Sequence, residues 1–255
     1  MSTSLTRRSM FGLTAALACP LCARAFAADA PHWGYVGATG PEHWGDLEAD
    51  FHTCEIGKQQ SPINLTGAVK ASLRAVRIDY QKVPLRVWNN GHYIQINVPP
   101  GNQVNLAGVN YQLLQFHFHH PSEHLLDGQR FDMEAHFVNK SADGSLCALG
   151  VFITRGAANP VLGPIVAAME SQAGPDIAVA GVLVDPRNLL PADPSYFEYE
   201  GSLTTPPCPE TVNWVVFRTP IEASPEQIER YGAVFPMDAR PIQPLDRRFV
   251  LEGGG

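Results

Sequence analysis

Along most of the chain, apolar and polar side chains alternate in short runs separated by turn residues. A period of two puts one face of a strand on a core and the other toward water. The pattern predicts strands over residues 76–80, 85–89, 92–98, 104–109, 111–119, 131–139, 146–154 and 211–218. Asn90-Gly91 falls between two of these runs, and both residues tolerate positive φ, so a hairpin turn is predicted there with His92 opening the next strand. Two stretches switch to helical spacing. Residues 161–171 form one, and residues 225–231 the other, with Ser224 as N-cap, Pro225 at the first helical position and Gln227 closing a capping box. The N-terminal stretch around Trp33, Tyr35 and Trp44 has too few aliphatic residues for a regular element and is predicted to wrap over the body. Many short strands and few helices predict a mainly β, mostly antiparallel single domain.

Length and composition agree with that picture. A chain of 255 residues with 45% hydrophobic content buries a substantial core, and no repeat or linker divides it. Residues 1–27 read as an export signal: Arg7-Arg8 form a twin-arginine pair, an apolar run follows to Cys22, and Ala25-Phe26-Ala27 is a cleavage pattern. A general secretory signal is the alternative, with the same periplasmic destination. The apolar run is too short for a membrane anchor. Taking Arg7, Arg8 and Arg24 away leaves 15 basic against 25 acidic side chains, so the net charge goes from −7 to −10 for residues 28–255. Such acidity argues against nucleic acid or an anionic membrane as partner.

Three cysteines follow the signal, which permits one disulfide in an oxidising compartment. Cys147 lies in an apolar run and is predicted to pack as a small hydrophobe. Cys54 and Cys208 flank polar, proline-containing loops and are the favoured pair, although the residues alone leave the connectivity open.

The densest chemistry lies between Gln115 and Val138. If residues 113–119 are a strand, Gln115, His117 and His119 share one face, and Phe116 and Phe118 share the other. By the same rule Glu134, His136 and Val138 share a face of the next strand, which laid antiparallel brings a third imidazole to the same point. Three neutral imidazoles without a thiolate suit zinc and leave its fourth position to water or substrate. Gln115 and Glu134 stand where acceptors for the outer imidazole nitrogens are needed. Residues 196–208 include Thr204-Thr205-Pro206-Pro207, a rigid loop rich in hydroxyls.

Together these residues closely resemble the α-class carbonic anhydrases of the exported bacterial type. The resemblance runs from about Trp33 to Leu245. It is carried by Trp33-Gly34-Tyr35, Gln60-Ser61-Pro62-Ile63, Asn90-Gly91-His92, Gln115-Phe116-His117-Phe118-His119, Ser122-Glu123-His124, Glu134-Ala135-His136 and Gly201-Ser202-Leu203-Thr204-Thr205-Pro206-Pro207. The resemblance implies a large twisted sheet and one zinc ion on His117, His119 and His136, with Gln115 and Glu134 behind the ligands. It implies reversible hydration of carbon dioxide to bicarbonate and a proton through hydroxide on zinc. Thr204 would orient that hydroxide and donate to Glu123, and His92 would shuttle the proton, with Tyr35 and Asn90 holding waters. Val138, Ala148, Leu203, Val212 and Trp214 would form the apolar side of the pocket, with Thr205 near the product. A Cys54–Cys208 disulfide and cis peptides before Pro62 and Pro207 are also implied. The loop His120-Pro121-Ser122 is shorter than in animal members, Gln95 replaces an asparagine and Ala148 a valine. His32, His43, His52, His120 and His124 read as surface or structural groups. Monomer and homodimer both stay open.

Two rival readings are weaker. A cupin would use His117, His119 and Glu123 as ligands, but it needs a downstream Pro-x-Gly-x-x-His motif that is absent, and it leaves Glu134 and His136 unexplained. A binding module or zinc store on the same fold would need neither Glu123 nor Thr204.

Overall fold

The computed structural model describes residues 32–254, so the signal read over residues 1–27 lies outside the described residues. The described strands are β1 (Asn64–Leu65), β2 (Val69–Lys70), β3 (Arg77–Asp79), β4 (Val83–Asn89), β5 (Ile94–Asn97), β6 (Gln103–Leu106) and β7 (Val109–His119). They continue with β8 (Leu125–Leu126), β9 (Met133–Ser141), β10 (Leu146–Arg155), β11 (Ile177–Val184), β12 (Tyr196–Gly201), β13 (Val212–Ala223) and β14 (Leu251–Gly253). Besides three single 3₁₀ turns, four short α-helices accompany them: α1 (Trp44–Leu47), α2 (Thr53–Ile56), α3 (Leu162–Ala168) and α4 (Pro225–Val234).

Twelve strands make one sheet, ordered β11-β4-β5-β7-β9-β10-β13-β12-β14-β2, with β6 joining β7 and β3 joining β6. Most neighbours are antiparallel, but β10 pairs with β13, and β14 with β2, in parallel, so the sheet is mixed. The central strands β9 and β10 are buried along almost their whole length. Both of their faces are covered, which is why Leu146-Cys147-Ala148-Leu149-Gly150-Val151-Phe152-Ile153 reads as a continuous apolar run rather than an alternation. One face packs Phe116, Phe118, Phe137, Leu149 and Val151 into the larger core. The other packs Ala148, Phe152, Tyr199, Trp214 and Val216 into a second core that borders the site.

Several predicted elements have different ends. The run over 104–109 is broken by Ala107 (φ 53°) and Gly108 (φ 96°), a two-residue turn after which Val109 opens β7. Asn105 Oδ1 accepts the Gly108 N–H there, supporting a left-handed alanine that composition does not announce. The strand predicted from residue 92 begins two residues later, because Asn90 Oδ1 accepts the N–H groups of both His92 and Tyr93 and holds them in the turn. α3 starts where Asn159 Oδ1 takes the N–H groups of Val161 and Leu162, and it ends at Ala168 rather than 171. α4 has the predicted capping box. β11 and β12 were not anticipated as strands; β11 lacks alternation and carries a bulge against β4. In the N-terminal segment, α1 and α2 are single turns where no regular element was expected, and α1 buries Trp44.

Cys54 and Cys208 are disulfide-bonded and Cys147 is a buried free thiol. The peptides before Pro62 and Pro207 are cis, as is the one before Pro121. No helix among the described residues is long and apolar enough to cross a membrane.

Candidate metal centre

Strand pairing builds the site. In the β7–β9 ladder His117 faces His136 and His119 faces Glu134. Cross-strand neighbours on one face lie side by side, so two imidazoles meet across the ladder and the third sits two residues along β7. All three are buried, and each offers a nitrogen within 4.8 Å of the others.

The other nitrogen of each ring is already engaged. His117 Nδ1 lies 2.8 Å from Gln115 Oε1, His119 Nδ1 lies 2.7 Å from the Asp238 carbonyl, and His136 Nε2 lies 2.9 Å from Glu134 Oε1. Those acceptors fix the tautomers, leaving Nε2 of His117 and His119 and Nδ1 of His136 as free donors of a lone pair. His119 Nε2 is buried without a hydrogen-bond partner. A buried polar atom without a partner costs about 1–3 kcal/mol, and a divalent cation at this point removes that cost. Burial, followed by the neighbouring His119 and His136, holds His117 well below the usual histidine range, so it is neutral at pH 7 as a ligand must be.

Glu134 anchors the rear of the site. Burial pushes its carboxyl up, but His124 and His136 together bring it well below the usual range. Its Oε2 accepts the N–H groups of Glu123 and His124, and its Oε1 faces the rings of His124 and His136. His124 Nε2 continues to the Tyr199 hydroxyl, which donates to Ser61 Oγ. Both nitrogens of His124 are thus committed, which makes it structural although it also falls in a second metal-like group with Glu134 and His136.

Glu123 is fully buried, with Oε1 accepting the Arg240 N–H at 2.7 Å. Its Oε2 has no hydrogen-bond partner and lies 3.5 Å from His119 Nε2 and 3.8 Å from His136 Nδ1. The expected donation from Thr204 is therefore not made to this oxygen, which leans toward the imidazoles instead. Thr204 itself is buried, immediately before a turn closed by the Cys208 N–H on the Thr205 carbonyl. Ala148, Val212 and Trp214 are buried and Leu203 packs against them, while Val138 sits beside Ala148 in the ladder. His92 stacks on Trp33 with ring centroids 3.6 Å apart and planes at 5°. The Tyr35 hydroxyl is buried without a partner.

Three contributors escaped the sequence reading. The Asp238 carbonyl and the Arg240 N–H come from a C-terminal stretch with no regular element to announce it. Tyr93 stacks on His117, and its only signal is parity, two residues before Gln95, which pairs with His117.

A family model described as eukaryotic-type carbonic anhydrase matches residues 39–253. The chain belongs to the α-carbonic anhydrase family. It is 46% identical over 226 residues to a carbonic anhydrase of Nostoc sp., covering 87% of this chain and 86% of that protein. Against a carbonic anhydrase of Pectobacterium carotovorum the figures are 42% over 243 residues, with 94% and 98% covered. Among solved structures, the α-carbonic anhydrase of Thermovibrio ammonificans in complex with sulfanilamide superposes with a TM-score of 0.84 at 43% identity, covering 87% of this chain and 99% of that one. Family membership makes this chain an enzyme of the carbonic anhydrase class.

Proposed function

We propose that the chain catalyses the reversible hydration of carbon dioxide to bicarbonate and a proton, with one zinc ion held by His117, His119 and His136. The observation that carries this is the set of three buried imidazoles whose outer nitrogens are all committed, leaving three lone pairs converging on one point. Three neutral nitrogen donors fit zinc with a fourth position for water or substrate. When bound, zinc supplies Lewis acidity that brings a coordinated water to a pKa near 7, the general value for this chemistry rather than one read from this chain.

The side chains around that point divide the remaining work. Thr204 would accept a hydrogen bond from the attacking oxygen, and its own donation to Glu123 Oε2, not made in this structure, would form as that oxygen turns away from the imidazoles. Trp214, Val212, Ala148, Leu203 and Val138 offer uncharged carbon dioxide a place with little water to displace, and Thr205 lies beside the product. His92 carries the proton away, since imidazole exchanges protons near neutrality. It does so from the Asn90 turn, with Tyr35 and Asn90 ordering the waters between.

The same proposal places the protein in the periplasm. Arg7-Arg8 and the apolar run after them support export, and the Cys54–Cys208 disulfide is compatible with an oxidising compartment. Stopped-flow hydration of carbon dioxide, paired with metal analysis, tests the function. The expected result is one zinc per chain, with activity lost on chelation and restored by zinc; full activity in a metal-free sample would refute it.

A further inference from the structure

The three imidazoles are not held equally. Glu134 grips His136 from a buried carboxylate that has four donors around it, and His119 rests on a backbone carbonyl. His117 has only the amide of Gln115, a half-buried side chain, at 2.8 Å. One hydrogen bond fixes a point on the ring and leaves its plane free to tilt about the N···O axis. A second restraint on His117 comes from Tyr93.

Chain geometry delivers that ring. In the β5–β7 ladder Gln95 faces His117, so residue 93, two positions earlier, falls on the same face beside His119. The Asn90 turn, which takes the Tyr93 N–H, sets the direction of entry. Tyr93 then lies over His117 with centroids 4.4 Å apart and planes at 24°, and stands 5.7 Å from His119 at 59°. Edge contacts from His119 at 5.0 Å and His136 at 5.4 Å meet the His117 ring as well. Face-on packing at this separation restrains a ring plane, which a single hydrogen bond does not.

We propose that Tyr93 is a positioning residue that clamps the plane of the His117 imidazole, so that its Nε2 stays aimed at the point shared with His119 and His136. This rests on the zinc reading above. The ring carries the role and the hydroxyl does not, so the variants Y93F and Y93A separate the two.

The test measures loss of zinc from the loaded protein to excess chelator, alongside histidine side-chain NMR of the metal-free protein. Y93A is expected to release zinc about tenfold faster than the wild type, at the low end of the roughly 10–100-fold loss of metal affinity caused by removing a ligand's hydrogen-bonded outer partner, with Y93F within about twofold. In the metal-free protein, Y93A is expected to broaden the His117 ring signals while those of His136 stay sharp. If Y93A does not fold, Y93L keeps apolar bulk without a flat face and is read the same way. A folded Y93A or Y93L that releases zinc at the wild-type rate overturns the proposal, as does a Y93F as fast as Y93A. A wild-type protein that takes up no zinc instead overturns the function proposed above, and the two failures are thereby distinct.

Discussion

Two buried carboxyl groups near the imidazoles have opposite fates. Glu134 is held low by His124 and His136 despite its burial. Asp238 is pushed well above 3.8, first by burial and then by Glu123, although the His120 N–H and the Tyr231 hydroxyl pull the other way. Proton counting agrees: the Tyr231 oxygen lies 2.5 Å from the Phe118 carbonyl and 2.8 Å from Asp238 Oδ2, and its single proton serves only one of them. A protonated Asp238 satisfies both contacts, donating to Tyr231 while Tyr231 donates to Phe118. Because the folded-state pKa is raised, the resulting stabilisation is fully present below the unfolded value and is lost as pH rises through the folded one. In metal-free protein, the stability of wild type relative to Asp238→Asn is therefore expected to fall as pH rises from about 4, a window set by the unfolded aspartate value. Urea midpoints for both proteins across that range check this, and a constant gap between them would remove the protonated carboxyl.

Among the elements, β12 and β13 couple packing to the site. Gly201 ends β12 where a Cβ would collide with Ser61 Oγ and meet Tyr199 Cε2 at 2.8 Å and Trp214 Cδ1 at 2.9 Å. Tyr199 and Ser61 lie on the hydrogen-bonded path from Glu134 through His124, Ser61 Oγ also accepts the Ser202 N–H, and the Trp214 indole N–H donates to the Ser202 carbonyl. Gly201→Ala is expected to cost about 1–3 kcal/mol by overpacking. Thermal unfolding should register it as a drop of about 2–4 °C per kcal/mol, and an unchanged midpoint would mean the junction yields freely. Most of this architecture could be read beforehand, because His117, His119, Glu134 and His136 obey strand parity and the α4 capping box is written in Ser224 and Gln227. Hidden features had local causes that pattern does not encode. Ala107 adopts positive φ with help from Asn105, the Asn90 side chain delays β5, and β11 bulges at its only glycine, Gly181 (φ 75°). Asp238 and Arg240 reach the centre from a stretch without strand or helix, so only tertiary structure reveals them.

Across the whole molecule, distant segments are tied together behind the site. The disulfide joins positions 154 residues apart and pins the aromatic N-terminal segment to the loop that carries Thr204. Replacing both Cys54 and Cys208 by serine is expected to cost about 2–5 kcal/mol, measured as a shift of the urea midpoint under oxidising conditions; no shift would show that the tie adds nothing. Arg240 crosses the same region fully buried, donating to Gln60 Oε1 and to the carbonyls of Ser61 and Cys54 with its guanidinium over Trp44. Burial lowers its pKa to about 10, so it stays charged at neutral pH. Its own N–H meets Glu123, and two residues earlier Asp238 offers the carbonyl that faces His119. A nascent polypeptide still attached at its C-terminal end has already made all three imidazoles, yet it lacks the two groups that orient His119 and Glu123 until residues 238–240 leave the ribosome.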